Sequence, residues 1–77
     1  MPTLFIVFGL RFYFYSNEHL PIHVHVRNGD GEAKFAVQNI RLISNKGIKN
    51  KDIKLAESII EENQGIIIAK WKEYHGE

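Results

Sequence analysis

Three of the four histidines in this chain fall within His19–His25, and a single valine separates His23 from His25. Side chains two apart on an extended strand point to the same face, so these imidazoles would stand side by side. Imidazole takes and gives protons near neutral pH, which makes the pair a candidate catalytic couple. The groups that would serve such chemistry are close in sequence. Arg11, Arg27 and Lys34 could hold phosphate, Tyr13 and Tyr15 could stack on unpaired bases, and His19 extends the set. Cations interleaved with aromatics suit single-stranded nucleic acid. In an enzyme, His23 or His25 would be the base while a cation steadies the developing charge. The plainer reading is the wet side of a one-faced antiparallel sheet. A third reading is a divalent transition metal held by His23 and His25, with His19, Glu18 or Glu32 as a further ligand. No cysteine and no His-Glu-x-x-His spacing assists it. The expected cofactor is therefore none, with the metal as the alternative.

Strands must position these residues. Leu4–Phe8 is an uninterrupted apolar run, which predicts a strand buried on both faces, and Gly9 marks a turn or bulge. Leu10–Tyr15 alternates, with Leu10, Phe12 and Phe14 inward and Arg11, Tyr13 and Tyr15 outward. Ser16–Pro21 reads as a loop. Ile22–Arg27 alternates again and turns His23, His25 and Arg27 outward. Asn28-Gly29-Asp30-Gly31 is a hairpin turn leading into Glu32–Val37. Two registers are open, one pairing His25 with Glu32 and the other pairing His25 with Lys34. Ile40–Ser44 is either a short fifth strand or an extended connection, and Asn45-Lys46-Gly47 is a turn.

A helix is predicted from Asn50 onward. Ile53, Ala56, Ile60, Asn63, Ile67, Trp71 and Tyr74 fall in one stripe, with Trp71 as a core anchor. Asn63 interrupts the stripe and is expected to satisfy a loop backbone group. Leu55, Ile59 and Ile66 form a flanking ridge that could receive a partner. An unbroken helix from Asn50 to His75 would be about 39 Å long, against about 30 Å for a compact chain of this size. Hence a kink near Gln64-Gly65 or an overhang is expected. The fold class is α+β: an antiparallel sheet of four or five strands in residues 1–44, packed against a long or kinked C-terminal helix in residues 45–77. Together they form one domain.

Composition bounds what remains. With 77 residues, 44% of them hydrophobic, no cysteine and a formal charge of +1, neither two domains nor a disulfide scaffold nor a strongly polyanion-coating protein is expected. One core of this size supplies only about 3–5 kcal/mol, so close packing, self-association or a ligand must help. The near-neutral total conceals an asymmetry. Positive and titratable residues (Arg11, His23, His25, Arg27 and Lys34) crowd one expected sheet face, whereas Glu57, Glu61, Glu62 and Glu73 load the helix with acid. The apolar N-terminal run lacks a preceding cation and a following cleavage site, so a signal peptide is not expected. No apolar run approaches the length of a membrane span. The expected location is the cytoplasm, with no membrane partner.

The stretch from Leu10 to His19, followed by Pro21-Ile22-His23-Val24-His25-Val26-Arg27, closely resembles the bacterial family known as domain of unknown function 4160. Gly31-Glu32-Ala33-Lys34-Phe35, Glu61-Glu62-Asn63 and Lys70-Trp71-x-x-Tyr74 extend the likeness over nearly the whole chain. Glu18, His19, Pro21, His23, His25 and Arg27 match its motif. The resemblance implies an antiparallel sheet with a C-terminal helix. It also implies a short gene beside that of a second small protein, in a toxin–antitoxin-like or regulatory pair, with no settled activity. At the helix start this chain has Lys49 where relatives tend to place Ser, so the cap is expected to pass to Asn50 and the helix to start one residue later. The leading expectation is a small component of such a module that binds or cleaves RNA or DNA. The rival is a non-catalytic module that self-associates or pairs with a neighbouring protein through the helix ridge or a sheet edge.

Overall fold

The computed structural model describes residues 3–15 and 21–76. Its described elements are β1 (Thr3–Val7), β2 (Leu10–Tyr13), β3 (His23–Arg27), β4 (Glu32–Ala36), β5 (Arg41–Lys46), α1 (Asn50–Glu62) and α2 (Gln64–His75). The strands form one antiparallel meander in the order β1-β2-β3-β4-β5. The fold is the expected α+β arrangement, with a fifth strand that begins at Arg41 because Ile40 lies in the preceding turn at φ 48°. No described helix is long and apolar enough to cross a membrane.

Side-chain chemistry in the turns settles what alternation left open. The Asn28 Oδ1 accepts from the backbone N–H of Asp30 at 2.8 Å and of Gly31 at 3.1 Å. This Asx turn holds a four-residue loop. Arg27 consequently pairs with Glu32, and His25 with Lys34. Between β1 and β2 the loop is only Phe8-Gly9, with φ 51° and 77°, and Val7 pairs with Leu10. Glycine adopts that backbone freely, but phenylalanine pays a steric cost there. Phe8 is 79% exposed, so little burial offsets the strain. Phe8→Asn should raise stability by about 0.5–1 kcal/mol, and a higher Tm in thermal denaturation would show it.

β1 departs from the expected doubly buried strand. It is an edge, and Ile6 on its outer side is 67% exposed. The core lies instead between the opposite sheet face and the helices. Leu10, Phe12, Phe14, Val24, Val26 and Phe35 pack there with Ile53, Ala56, Ile60, Ile67 and Trp71. The helical stripe is thus the buried one, except that Tyr74 is exposed. A five-stranded sheet covers more of a helix than the stripe alone requires, and this splits the anticipated partner ridge. Ile59 is buried in the core, Leu55 is half-buried against it, and only Ile66 stands clear.

The helix breaks at Asn63, not at Gly65. Asn63 has φ −118° and ψ 16°, and its side-chain amide donates to the Ile59 carbonyl at 2.8 Å. Such local side-chain bonding competes with the helical ladder. The next turn resumes at once, since the Ile67 N–H donates to the Asn63 carbonyl at 2.9 Å. The loop backbone expected to need Asn63 is satisfied by Gln64, whose Nε2 donates to the carbonyls of Val37 at 2.8 Å and Gln38 at 2.9 Å. Two shorter helices therefore fit a body of 33 × 21 × 20 Å. α1 begins at Asn50, with Lys49 at the cap position and no side-chain cap, so the expected transfer of the cap to Asn50 does not occur.

Candidate functional site

Strand register arranges the chemistry in rows on the face opposite the helical core. One row runs Ile6–Arg11–Arg27–Glu32–Lys46 across all five strands. The next runs Thr3–Tyr13–His25–Lys34–Ser44. Ser44 enters because the segment read as either a strand or a connection is a strand, and Lys46 because β5 extends through Asn45 and Lys46, which the residue pattern marks as a turn. The sequence signals for them, alternation in a polar segment, are too weak to separate from loop.

The middle of this face is not solvated. Tyr13 is fully buried and His25 is only 8% exposed. The Tyr13 ring stacks on His25 at 5.3 Å and 24°, and its hydroxyl donates to the Glu32 carboxylate. Tyr15 meets His25 edge-on at 4.4 Å and donates to the same Glu32 Oε2 at 3.0 Å. One carboxylate on β4 thus gathers two phenols from the β2 side. Tyr13 is thereby excluded as a stacking platform for a base, whereas Tyr15, at 36% exposure, still presents its ring. Beside them opens a cleft of about 170 Å³ lined by Tyr15, His25, Glu32, Lys34, Ser44 and Lys46.

The two central histidines, expected as a side-by-side couple, have different surroundings. Their rings lie 5.3 Å apart in a T-shaped contact. His25 lines the cleft. His23 lies 5.1 Å from Trp71 on α2, and its Nδ1 donates to the Pro21 carbonyl at 2.8 Å. Trp71 in turn lies 4.0 Å from His75, whose ring nitrogens are 3.1 Å from the Trp71 carbonyl oxygen and 3.3 Å from that of Tyr15. His75 was not among the expected site residues, although it follows Trp71 by four positions and so shares its side of the helix. It links α2 to the chain just past β2.

Arg11 stands over the Tyr13 ring at 5.1 Å, and its Nε donates to the Thr3 hydroxyl at 3.0 Å. Arg27 is exposed and Lys34 half-buried. His19 and Glu18 lie outside the described residues. Among the described residues, no group of three His, Cys, Asp or Glu side chains is placed to hold a metal ion.

The carboxylate hub carries a stability prediction. Glu32→Ala would leave the buried Tyr13 hydroxyl without its acceptor, at a cost of about 1–3 kcal/mol. Tyr13→Phe in that background should recover part of the loss. Urea denaturation of the two single variants and the double variant would measure the coupling.

The chain is thus an α+β protein with a polar cleft on the open side of its sheet. A family model described as a domain of unknown function (DUF4160) matches residues 9–72, and the chain belongs to that family. No curated protein and no solved structure matches it.

Proposed function

We propose that the cleft binds single-stranded RNA and that His25 is its acid–base group, in a small cytoplasmic protein working as one half of a two-gene, toxin–antitoxin-like module. One observation carries the reading. A histidine, an exposed tyrosine and two lysines converge on a single cleft, and Arg11 and Arg27 continue the cationic row beside it. Lysine and arginine neutralise phosphates, and Tyr15 offers a ring to an unstacked base. RNA brings its own nucleophile, the 2′-hydroxyl. His25 would take the proton from that hydroxyl as its oxygen attacks the adjacent phosphorus. The bond to the 5′-oxygen breaks and that oxygen takes a proton from water, leaving a cyclic phosphate and a 5′-hydroxyl; Lys34 and Lys46 steady the added charge, and His25 releases its proton to the solvent. Glu32 and Tyr13 hold the positions of Tyr15 and His25. Supporting the module assignment is the family resemblance of the Pro21–Arg27 motif.

The test is titration of a labelled single-stranded RNA at increasing salt. Binding through about four cations predicts a plot of log K against log salt with slope near −3, since each phosphate contributes about −0.7. Lys34→Ala with Lys46→Ala should flatten the slope by about half. Absence of salt-sensitive binding, or a slope indifferent to both lysines, would overturn the reading.

A further inference from the structure

Glu32 lines the same cleft as Tyr15 and His25. Among the described residues both hydrogen bonds it accepts fall on one oxygen, since Tyr13 and Tyr15 each donate to Oε2. A carboxylate offers about four lone-pair positions over its two oxygens and no donor, so Oε1 keeps capacity for a ligand. The 3.0 Å bond from the Tyr15 hydroxyl sets the carboxylate at the rim of the Tyr15 ring, which is exposed in the cleft. A base lying on that ring therefore turns one of its edges to Glu32. Arg27 and Lys46 pair with Glu32 from the two neighbouring strands. Cations thus stand on both sides of the carboxylate, about 10 Å apart at the backbone.

We infer that Glu32 makes the cleft selective for guanine in single-stranded RNA. The inference rests on the RNA reading above and adds the identity of the base. Edge chemistry decides among the four bases. Guanine presents two adjacent donors on its Watson–Crick edge, N1–H and the N2 amine, and a carboxylate can accept from both. Adenine and cytosine each present one amine beside an unprotonated ring nitrogen, and uracil presents one N–H between two carbonyls. Each of these sets an acceptor against an anion that donates nothing. A site that offers a polar partner rejects ligands unable to use it more strongly than shape alone does.

The test is binding of labelled hexauridine carrying one central guanosine, adenosine or cytidine, set beside hexauridine itself at fixed salt. The guanosine RNA should bind at least about tenfold tighter than the other three. Inosine, which lacks the N2 amine, should lose most of that gain. 7-Deazaguanosine, which lacks N7, should keep it. A preference lost with 7-deazaguanosine instead belongs to a cation reading N7 and overturns the inference. Glu32→Gln should bring the guanosine-to-uridine affinity ratio close to one, because the glutamine carbonyl can take both phenols and then presents an amine to the base. Its urea midpoint should stay well above that of Glu32→Ala. A guanosine preference untouched by Glu32→Gln overturns the inference, and if that variant does not fold, the two analogues decide. Salt-sensitive binding with equal affinity for all four RNAs overturns the inference and leaves the RNA reading standing. Salt-sensitive binding to none of them overturns both.

Discussion

Replacing His25 by asparagine should lower RNA cleavage by about 10²–10⁴-fold, the usual contribution of a positioned general base. Asparagine keeps a polar side chain beside Tyr13 and Tyr15 but cannot carry the proton. Binding should stay within a few-fold of the original chain, because the cations that neutralise phosphate are elsewhere in the rows. The lysine pair predicts the converse. Lys34→Ala with Lys46→Ala weakens binding and leaves the proton-transfer group in place. Single-turnover cleavage at saturating protein, set beside the salt titration, separates the two effects. Cleavage unchanged in the His25 variant would remove His25 from any chemistry. A chain that binds RNA but never cuts it would reduce the cleft to a binding surface. His23→Asn makes a useful contrast: its ring lies against Trp71 and its Nδ1 is engaged by Pro21, so it should affect stability more than rate.

The second large effect is expected at Gly31. A Cβ there would collide with the Lys46 carbonyl oxygen and lie 2.8 Å from its carbonyl carbon and 2.9 Å from the Gly47 Cα. All three are backbone atoms, so no rotamer change can relieve the clash. The two strands would have to separate where β4 begins and β5 ends. Gly31→Ala should therefore cost about 3 kcal/mol or more, a large share of the about 3–5 kcal/mol available to a core of this size. Glu32 and Lys46 flank the collision, so any folded remainder should also bind RNA poorly. Gly29→Ala is the control. Nothing lies within 4 Å of its Cβ position, and its effect should stay within about 0.5 kcal/mol. Urea midpoints of the two variants would test the contrast.

Much of the architecture was legible because alternation and helical period are local properties. Leu10, Phe12, Val24, Val26 and Phe35 are buried as the two-residue period requires, and Ile53, Ala56, Ile60, Ile67 and Trp71 as the helical stripe requires. The misses are equally local in origin. A continuous apolar run looks alike in a central strand and at an edge, so β1 was expected to be buried. Composition points to Gln64-Gly65 as the break, but a side-chain bond from Asn63 to Ile59 sets it at Asn63 instead.

The sequence by itself determined the element order, the helix-facing core, the family and the residue types that could handle phosphate and protons. Tertiary structure alone decided which of those residues meet. Tyr13 and Tyr15 reach Glu32 only because β2 and β4 flank β3 in one sheet. Lys46 joins Lys34 only because β5 adds to β4 in the observed register. His25 was turned toward the cleft, and His23 and His75 were gathered around Trp71, through contacts spanning up to 60 positions. Periodicity reports which side of its own strand or helix a residue occupies. It carries no information about the neighbours that long-range pairing places beside it.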